Sequence, residues 1–297
     1  MNGLIARIQR FSTTNGPGLR STVFLKGCPL RCKWCHNPEM QSFQKELLVY
    51  DKTCTRCGIC MKVCGQGVHL VDGDRHALAR ENCVLCGTCA ENCPKDAIEL
   101  TGREMSTDEV MAVLMRDEIF YRNGKGGITL SGGEPLSQFD FTRELLEKCA
   151  AEGLHTCVDT SGFGGRAKEL VPYAGLFLWD LKDTDPGRHL AMTGVPLEPI
   201  LESLYETDEA GGAFYIRCPI IPGVNDSAEH LHEIGRIANR LRGVKQIDLV
   251  PYHDLGLMKA AAAGIPQESY TALQTEQKEK LLNTIRKETV LPVQWTS

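Results

Sequence analysis

Cys28-Pro29-Leu30-Arg31-Cys32-Lys33-Trp34-Cys35 carries three thiols in eight residues, spaced C-x3-C-x2-C. A loop this short can turn three sulfurs toward one centre, but it supplies no fourth. Thiolates favour zinc, Cu(I) or iron–sulfur clusters, and a [4Fe–4S] cube normally takes four cysteines. Three leave one iron open, which is where a substrate can bind. A structural zinc site with a distant fourth ligand would use the same three sulfurs. Upstream, Ser21-Thr22-Val23-Phe24-Leu25 is β-branched and apolar and stops at Gly27, so the loop hangs from the end of a strand. Residues before that strand read as a loop.

Two further cysteine groups follow. Cys54-x2-Cys57-x2-Cys60-x3-Cys64 is repeated as Cys83-x2-Cys86-x2-Cys89-x3-Cys93, 29 residues on, with Gly58 and Gly87 at matching places. This internal repeat has the bacterial ferredoxin spacing, in which the fourth cysteine of each run ligates the other cluster. One cluster then takes Cys54, Cys57, Cys60 and Cys93, and a second takes Cys83, Cys86, Cys89 and Cys64. Pro94 follows the second run as that pattern expects, whereas Gly65 follows the first. Of the 14 cysteines, Cys149, Cys157 and Cys218 stand alone and read as buried small hydrophobes.

At 297 residues and 42% hydrophobic content, the chain can bury one large core and a small insert. Its net charge of −5 argues against nucleic-acid or membrane-surface binding. The start shows no apolar signal run, and no stretch approaches a membrane span, so a cytoplasmic protein with reduced thiols is expected. Nothing points to an obligate oligomer, and a monomer is expected.

From residue 101 onward, helices and strands alternate. Ser106-Thr107-Asp108-Glu109 reads as a capping box. Strands are expected at 128–130, 154–158, 176–179, 214–216 and 246–250, with a short one at 290–293. Helices are expected at 139–151, 165–173, 227–241 and 268–287. Strand–helix alternation indicates parallel βα units, about six of them. In βα barrels, chemistry collects where strands end, and polar motifs here obey that placement: Ser131-Gly132-Gly133-Glu134-Pro135, Asp159-Thr160-Ser161-Gly162, Asp180-Leu181-Lys182, Arg217, and Pro251-Tyr252-His253.

The three-cysteine loop with Trp34 before its last thiol resembles the radical S-adenosylmethionine (SAM) superfamily. Gly16-Pro17-Gly18-Leu19-Arg20 upstream and Asn37-Pro38-Glu39 after the loop resemble its branch that activates glycyl radical enzymes. The resemblance implies an α/β fold, a partial (β/α)6 TIM-like barrel over residues 1–48 and 101–297, with residues 49–100 as an inserted ferredoxin-like domain. It implies three [4Fe–4S] clusters, with Cys28, Cys32 and Cys35 holding the SAM cluster. It places Gly133 and Glu134 at the methionyl nitrogen, while Asp159, Asp180 and Lys182 meet the ribose and carboxylate. Val250-Pro251-Tyr252-His253-Asp254-Leu255-Gly256 is similar to a family stretch whose histidine lies by the adenosyl group, and Trp34 and His36 are placed on the adenine side. Arg217 joins this set, although a surface salt bridge is its plainer reading. Asp159, Thr160 and Asp180 are a candidate monovalent-cation site. Helix capping is the plain alternative for the aspartates.

The implied activity is reductive SAM cleavage to a 5′-deoxyadenosyl radical that takes hydrogen from a glycine Cα of a partner glycyl radical enzyme. The double cluster insert argues against pyruvate formate-lyase as that partner. Flavodoxin or ferredoxin is the expected electron donor. No general base or protein nucleophile is required. Two other readings use the same residues: a radical SAM enzyme acting on a small molecule, and a ferredoxin-type electron carrier without catalysis.

Overall fold

The computed structural model describes residues 1–296. Among the described residues thirteen strands form: β1 (Asn2–Ser12), β2 (Arg20–Leu25), β3 (Glu46–Val49), β4 (His69–Asp72), β5 (Arg75–Leu78), β6 (Ile98–Thr101), β7 (Arg103–Ser106), β8 (Gly127–Gly132), β9 (His155–Thr160), β10 (Leu176–Asp180), β11 (Phe214–Ile220), β12 (Val244–Pro251) and β13 (Val293–Trp295). Nine of them make one sheet in the order β13-β12-β11-β10-β9-β8-β2-β1-β7. From β2 to β13 every neighbouring pair is parallel, while β1 and β7 are antiparallel additions. After the insert, each parallel strand lies beside its predecessor. This is the winding of a βα barrel, and the sheet stays open because its two edges, β7 and β13, do not pair. The fold is an α/β fold with a parallel-strand sheet, consistent with a partial TIM barrel.

The strands are apolar because both faces are covered. Val23, Ile128, Leu130, Val158, Phe177, Trp179, Phe214, Ile216, Ile247 and Leu249 are all buried. The helix at Phe139–Ala151 runs over the expected residues. The capping box is also as expected: Ser106 Oγ accepts from Glu109 N at 3.2 Å, and Glu109 Oε2 accepts from Ser106 N at 2.7 Å.

Some elements differ from the sequence reading. The first residues are not a loop but β1, whose charged Arg7 and Arg10 mask the strand pattern of a partly exposed ribbon. The helix expected at 165–173 shrinks to a 3-10 turn, Ala167–Leu170, because Gly162, Gly164 and Gly165 all take positive φ just before it. Helices that escaped notice include Pro186–Thr193, Glu198–Glu209 and Leu255–Ala263. The first of these had legible signals, with Asp185 capping Arg188 N, Pro186 in the first turn and Gly194 ending it.

The cysteine-rich segment leaves the barrel through an antiparallel ribbon of β3 and β6, with Glu46 opposite Thr101. The ribbon straddles the expected boundaries at 48/49 and 100/101. Beyond it, each cysteine run enters a short helix, Ile59–Val63 or Thr88–Glu91, through Gly58 or Gly87 in the left-handed conformation. The β4–β5 hairpin lies between the two runs in sequence. Among the described residues, no helix is long and apolar enough to cross a membrane.

Candidate active site

The three-cysteine loop starts where β2 ends, and its path is set by backbone hydrogen bonds. Gly27 N donates to Met40 O at 2.8 Å, Cys28 N to Gln41 O at 3.1 Å, Arg31 N to Thr193 O at 2.7 Å and Lys33 N to Met192 O at 3.0 Å. From the far end of the chain, Gln267 Nε2 donates to Cys35 O at 2.7 Å, and Lys259 Nζ donates to His36 O at 3.0 Å and Asn37 Oδ1 at 2.7 Å. Lys259 and Gln267 were invisible as site residues in the sequence, because more than 200 residues separate them from the loop they clamp.

The parallel register of β2 with β8 sets Leu25 beside Gly132. Gly133 N then donates to Leu25 O and Glu134 N to Gly27 O, each at 2.8 Å. A Cβ at Gly133 would run into the Gly27 carbonyl oxygen, so only glycine lets the two turns touch.

These turns enclose a cavity of about 210 Å³. All thirteen residues singled out by sequence for SAM, its cluster or the cation line it, from Cys28, Cys32 and Cys35 to Arg217 and His253. Asn15 and Ser131 also line it and were not singled out, although both sit inside or next to quoted motifs.

The charged part of the wall is balanced within the chain. Lys182 Nζ donates to Asp180 Oδ2 at 2.8 Å. Arg217 Nη1 lies 3.0 Å from Asp159 Oδ1, and its Nε lies 3.8 Å from Asp180 Oδ1. Ser131 Oγ donates to Asp159 Oδ2 at 2.7 Å. Arg217 is therefore no surface salt bridge; it faces two carboxylates from the next strand and the one beyond. Burial pushes Asp159 above the usual carboxylate range, although Arg217 opposes this. Burial also opposes charge on Asp180, but Lys182 and then Arg217 outweigh it and hold Asp180 below its ordinary value.

Glu134 differs from expectation. It is 2% exposed, and its carboxylate is saturated from within. Oε2 accepts from Ser161 N at 2.9 Å and Ser161 Oγ at 2.6 Å; Oε1 accepts from Leu136 N at 3.1 Å and from the Thr160 hydroxyl. An ionised carboxylate has about four lone-pair sites, so none remains for a ligand's ammonium. The acid instead ties the end of β8 to the end of β9, and Thr160 spends its proton on the same tie. Gly132 and Gly133, which offer only backbone, line the cavity together with Ser131 and Glu134.

Also in the lining, the His36 and His253 rings meet edge to face at 4.0 Å between centroids. Burial, then Lys259, lowers His36 to about 3, so it is a neutral, flat surface. Trp34 is buried against Ile221 and Tyr252.

The thiols fit a metal cluster. Burial pushes Cys32 up to about 12 and raises Cys28 and Cys35 as well. Three thiolates there need positive charge beside them, which bound iron would supply. In the insert, one hollow is lined by Cys54, Cys57, Cys60 and Cys93, and another by Cys64, Cys83, Cys86 and Cys89. These are the crossed sets that the repeat spacing suggested. Cys149, Cys157 and Cys218 are fully buried away from all three groups.

Residues 22–234 match the radical SAM superfamily, and the chain belongs to it. Within that superfamily, relatives that match it over most of its length are activating enzymes. It is 39% identical over 262 residues to the benzylsuccinate synthase activating enzyme of Thauera aromatica, spanning 85% of this chain and 79% of that one. It is 38% identical over 294 residues to the choline trimethylamine-lyase activating enzyme of Oleidesulfovibrio alaskensis, spanning 96% and 95%. SuiB of Streptococcus suis, solved with its precursor peptide SuiA, shares the fold at a TM-score of 0.55 and 14% identity, over 91% of this chain and 46% of that one.

Proposed function

We infer that this chain activates a partner glycyl radical enzyme. The observation that carries the reading is the single cavity joining the three-thiol loop to all the strand-end motifs. When bound there, the cluster and SAM supply the hard chemistry: one-electron cleavage of the sulfonium to methionine and a 5′-deoxyadenosyl radical, which takes a hydrogen atom from a glycine Cα of the partner. The protein supplies orientation. Asp180 with Lys182, and Asp159 with Arg217, offer acceptors and donors of fixed position to the ribose and carboxylate. Trp34, His36 and His253 form the wall for the adenosyl group. Gly132 and Gly133 bring backbone close to the methionyl end.

In this reading the insert, residues 49–100, is a ferredoxin-like domain holding two more [4Fe–4S] clusters on the two foursomes of thiols, and it relays electrons from flavodoxin or ferredoxin. The relatives are named for several different partners. The partner is therefore proposed as a class, a glycyl radical enzyme other than pyruvate formate-lyase. The protein acts as a cytoplasmic monomer. A monovalent cation at Asp159, Thr160 and Asp180 enters only by displacing Lys182 or Arg217, which already balance both carboxylates; activity independent of Na⁺ and K⁺ removes it.

Anaerobic reconstitution, reduction and addition of SAM test the whole reading. About twelve irons per chain and release of 5′-deoxyadenosine are expected. Bound zinc, or iron without SAM cleavage, would overturn it. Replacing Cys57 or Cys86 by Ala tests the relay: activity with a chemical reductant survives, and activity with flavodoxin is lost. Equal loss with both donors would make the insert a docking or structural element instead.

A further inference from the structure

The two thiol foursomes come from one repeat, yet their surroundings differ. The β4–β5 hairpin carries His69 and His76 on one face, as diagonal neighbours, since Val71 stands opposite His76 and Leu78 opposite His69. Both histidines are buried, at 3% and 5% exposure. His76 Nδ1 lies 3.4 Å from Cys54 Sγ, and its Nε2 lies 2.9 Å from His69 Nδ1 and 3.9 Å from Cys60 Sγ. Asp51 Oδ1 accepts from His76 N at 2.9 Å and holds the backbone in place. Among the described residues, none bonds His69 Nε2. The second foursome, Cys64, Cys83, Cys86 and Cys89, has no histidine on its lining among the described residues; Thr88 Oγ1 stands 3.4 Å from Cys86 Sγ instead.

A thiolate at Cys54 decides the protons of both rings. A cluster ligand is a thiolate and only accepts, so His76 must carry its proton on Nδ1 to face it. His76 Nε2 is then a lone pair, which takes the proton of His69 Nδ1 at 2.9 Å, while Cys60 Sγ stands off at 3.9 Å, too far for a close contact. His69 Nε2 is left bare, which agrees with its lack of a partner. The chain Cys54 Sγ···H–Nδ1 His76 Nε2···H–Nδ1 His69 is complete without adding or removing a proton.

We propose that His76, oriented by His69, is a positioning residue that tunes the electron path by hydrogen-bonding Cys54 of the cluster held by Cys54, Cys57, Cys60 and Cys93, which raises that cluster's reduction potential. The inference rests on the two-cluster reading of the insert. Hydrogen bonds to cluster sulfurs are among the factors that set reduction potential. An N–H donor favours the more electron-rich, reduced state, so it raises the potential.

Full-length protein carrying Cys28→Ala, Cys32→Ala and Cys35→Ala isolates the insert clusters, and its midpoints are read by redox titration followed by electron paramagnetic resonance. About eight irons are expected in this parent. His76→Leu should move one midpoint negative by about tenfold in the reduction equilibrium, or ~59 mV for one electron, and leave the other in place. His76→Asn restores an amide N–H near the Nδ1 position and should return that midpoint to the parent value. Unchanged midpoints in His76→Leu at full iron content overturn the inference while the cluster reading stands. A parent holding well under eight irons refutes the cluster reading, and the inference falls with it.

Discussion

Glu134→Gln separates a scaffold acid from a ligand-binding one. Each carboxylate oxygen accepts one backbone N–H and one hydroxyl proton: Ser161 N and Ser161 Oγ at Oε2, Leu136 N and Thr160 Oγ1 at Oε1. The glutamine amide must set its NH2 at one of these two places. The hydroxyl there can rotate and accept, but the backbone N–H cannot. Whichever way the amide turns, one buried N–H of Ser161 or Leu136 is orphaned against another donor. An orphaned buried donor costs about 1–3 kcal/mol. At about 2–4 °C per kcal/mol, Tm should fall by several degrees. The assay is anaerobic thermal denaturation of the reconstituted protein without SAM, paired with SAM affinity. A scaffold role predicts the stability loss in the absence of SAM, with any affinity loss following from the loosened β8–β9 tie. Unchanged Tm together with a tenfold or greater loss of SAM affinity would refute the reasoning and return Glu134 to the ligand's ammonium.

Arg217→Met removes one of the two cations facing Asp159 and Asp180. Breaking a buried pair from one side costs about 3–5 kcal/mol. Burial already holds Asp159 above its ordinary value, and losing Arg217 raises it further. A carboxylate raised on folding destabilises fully above its folded pKa, and the penalty fades as pH falls through that value. The stability gap to the unmodified protein should therefore narrow on acidification from pH 8, measured by thermal denaturation; a gap independent of pH contradicts the assignment. In Gly256→Ala, the new Cβ runs into the Cys35 carbonyl oxygen and meets Gln267 Nε2 at 3.0 Å. The helix Leu255–Ala263 must then lift from the cluster loop. Under chelator challenge this variant should lose about four of twelve irons and keep those of the insert; undiminished iron counts against the clamp.

The cysteine groups were legible in the sequence because ligand spacing is a local property. Three or four thiols within a dozen residues can converge by chain geometry alone, and the 29-residue repeat even indicated the crossed foursomes. The parallel strands were legible for a similar reason, since burial on both faces leaves short apolar runs ending in polar turns. β1 was not, because a ribbon partly open to solvent carries charge along its length. The roles inside the cavity needed the tertiary structure. Glu134, next to two glycines, has the composition of a ligand loop, and only the arrival of Thr160 and Ser161 from the next strand fills its lone pairs. Lys182 and Arg217 pair with Asp180 and Asp159 because the parallel register sets Arg217 beside Asp180 and Asp159 beside Leu178, two residues back on the same strand. His69 and His76 look like unrelated hairpin residues until the β4–β5 register stacks them beside Cys54. Sequence alone determined which atoms could bind metal, since that depends on residue type and near spacing. Folding decided which polar groups remain free for ligands, because each is satisfied or released by partners brought from elsewhere in the chain.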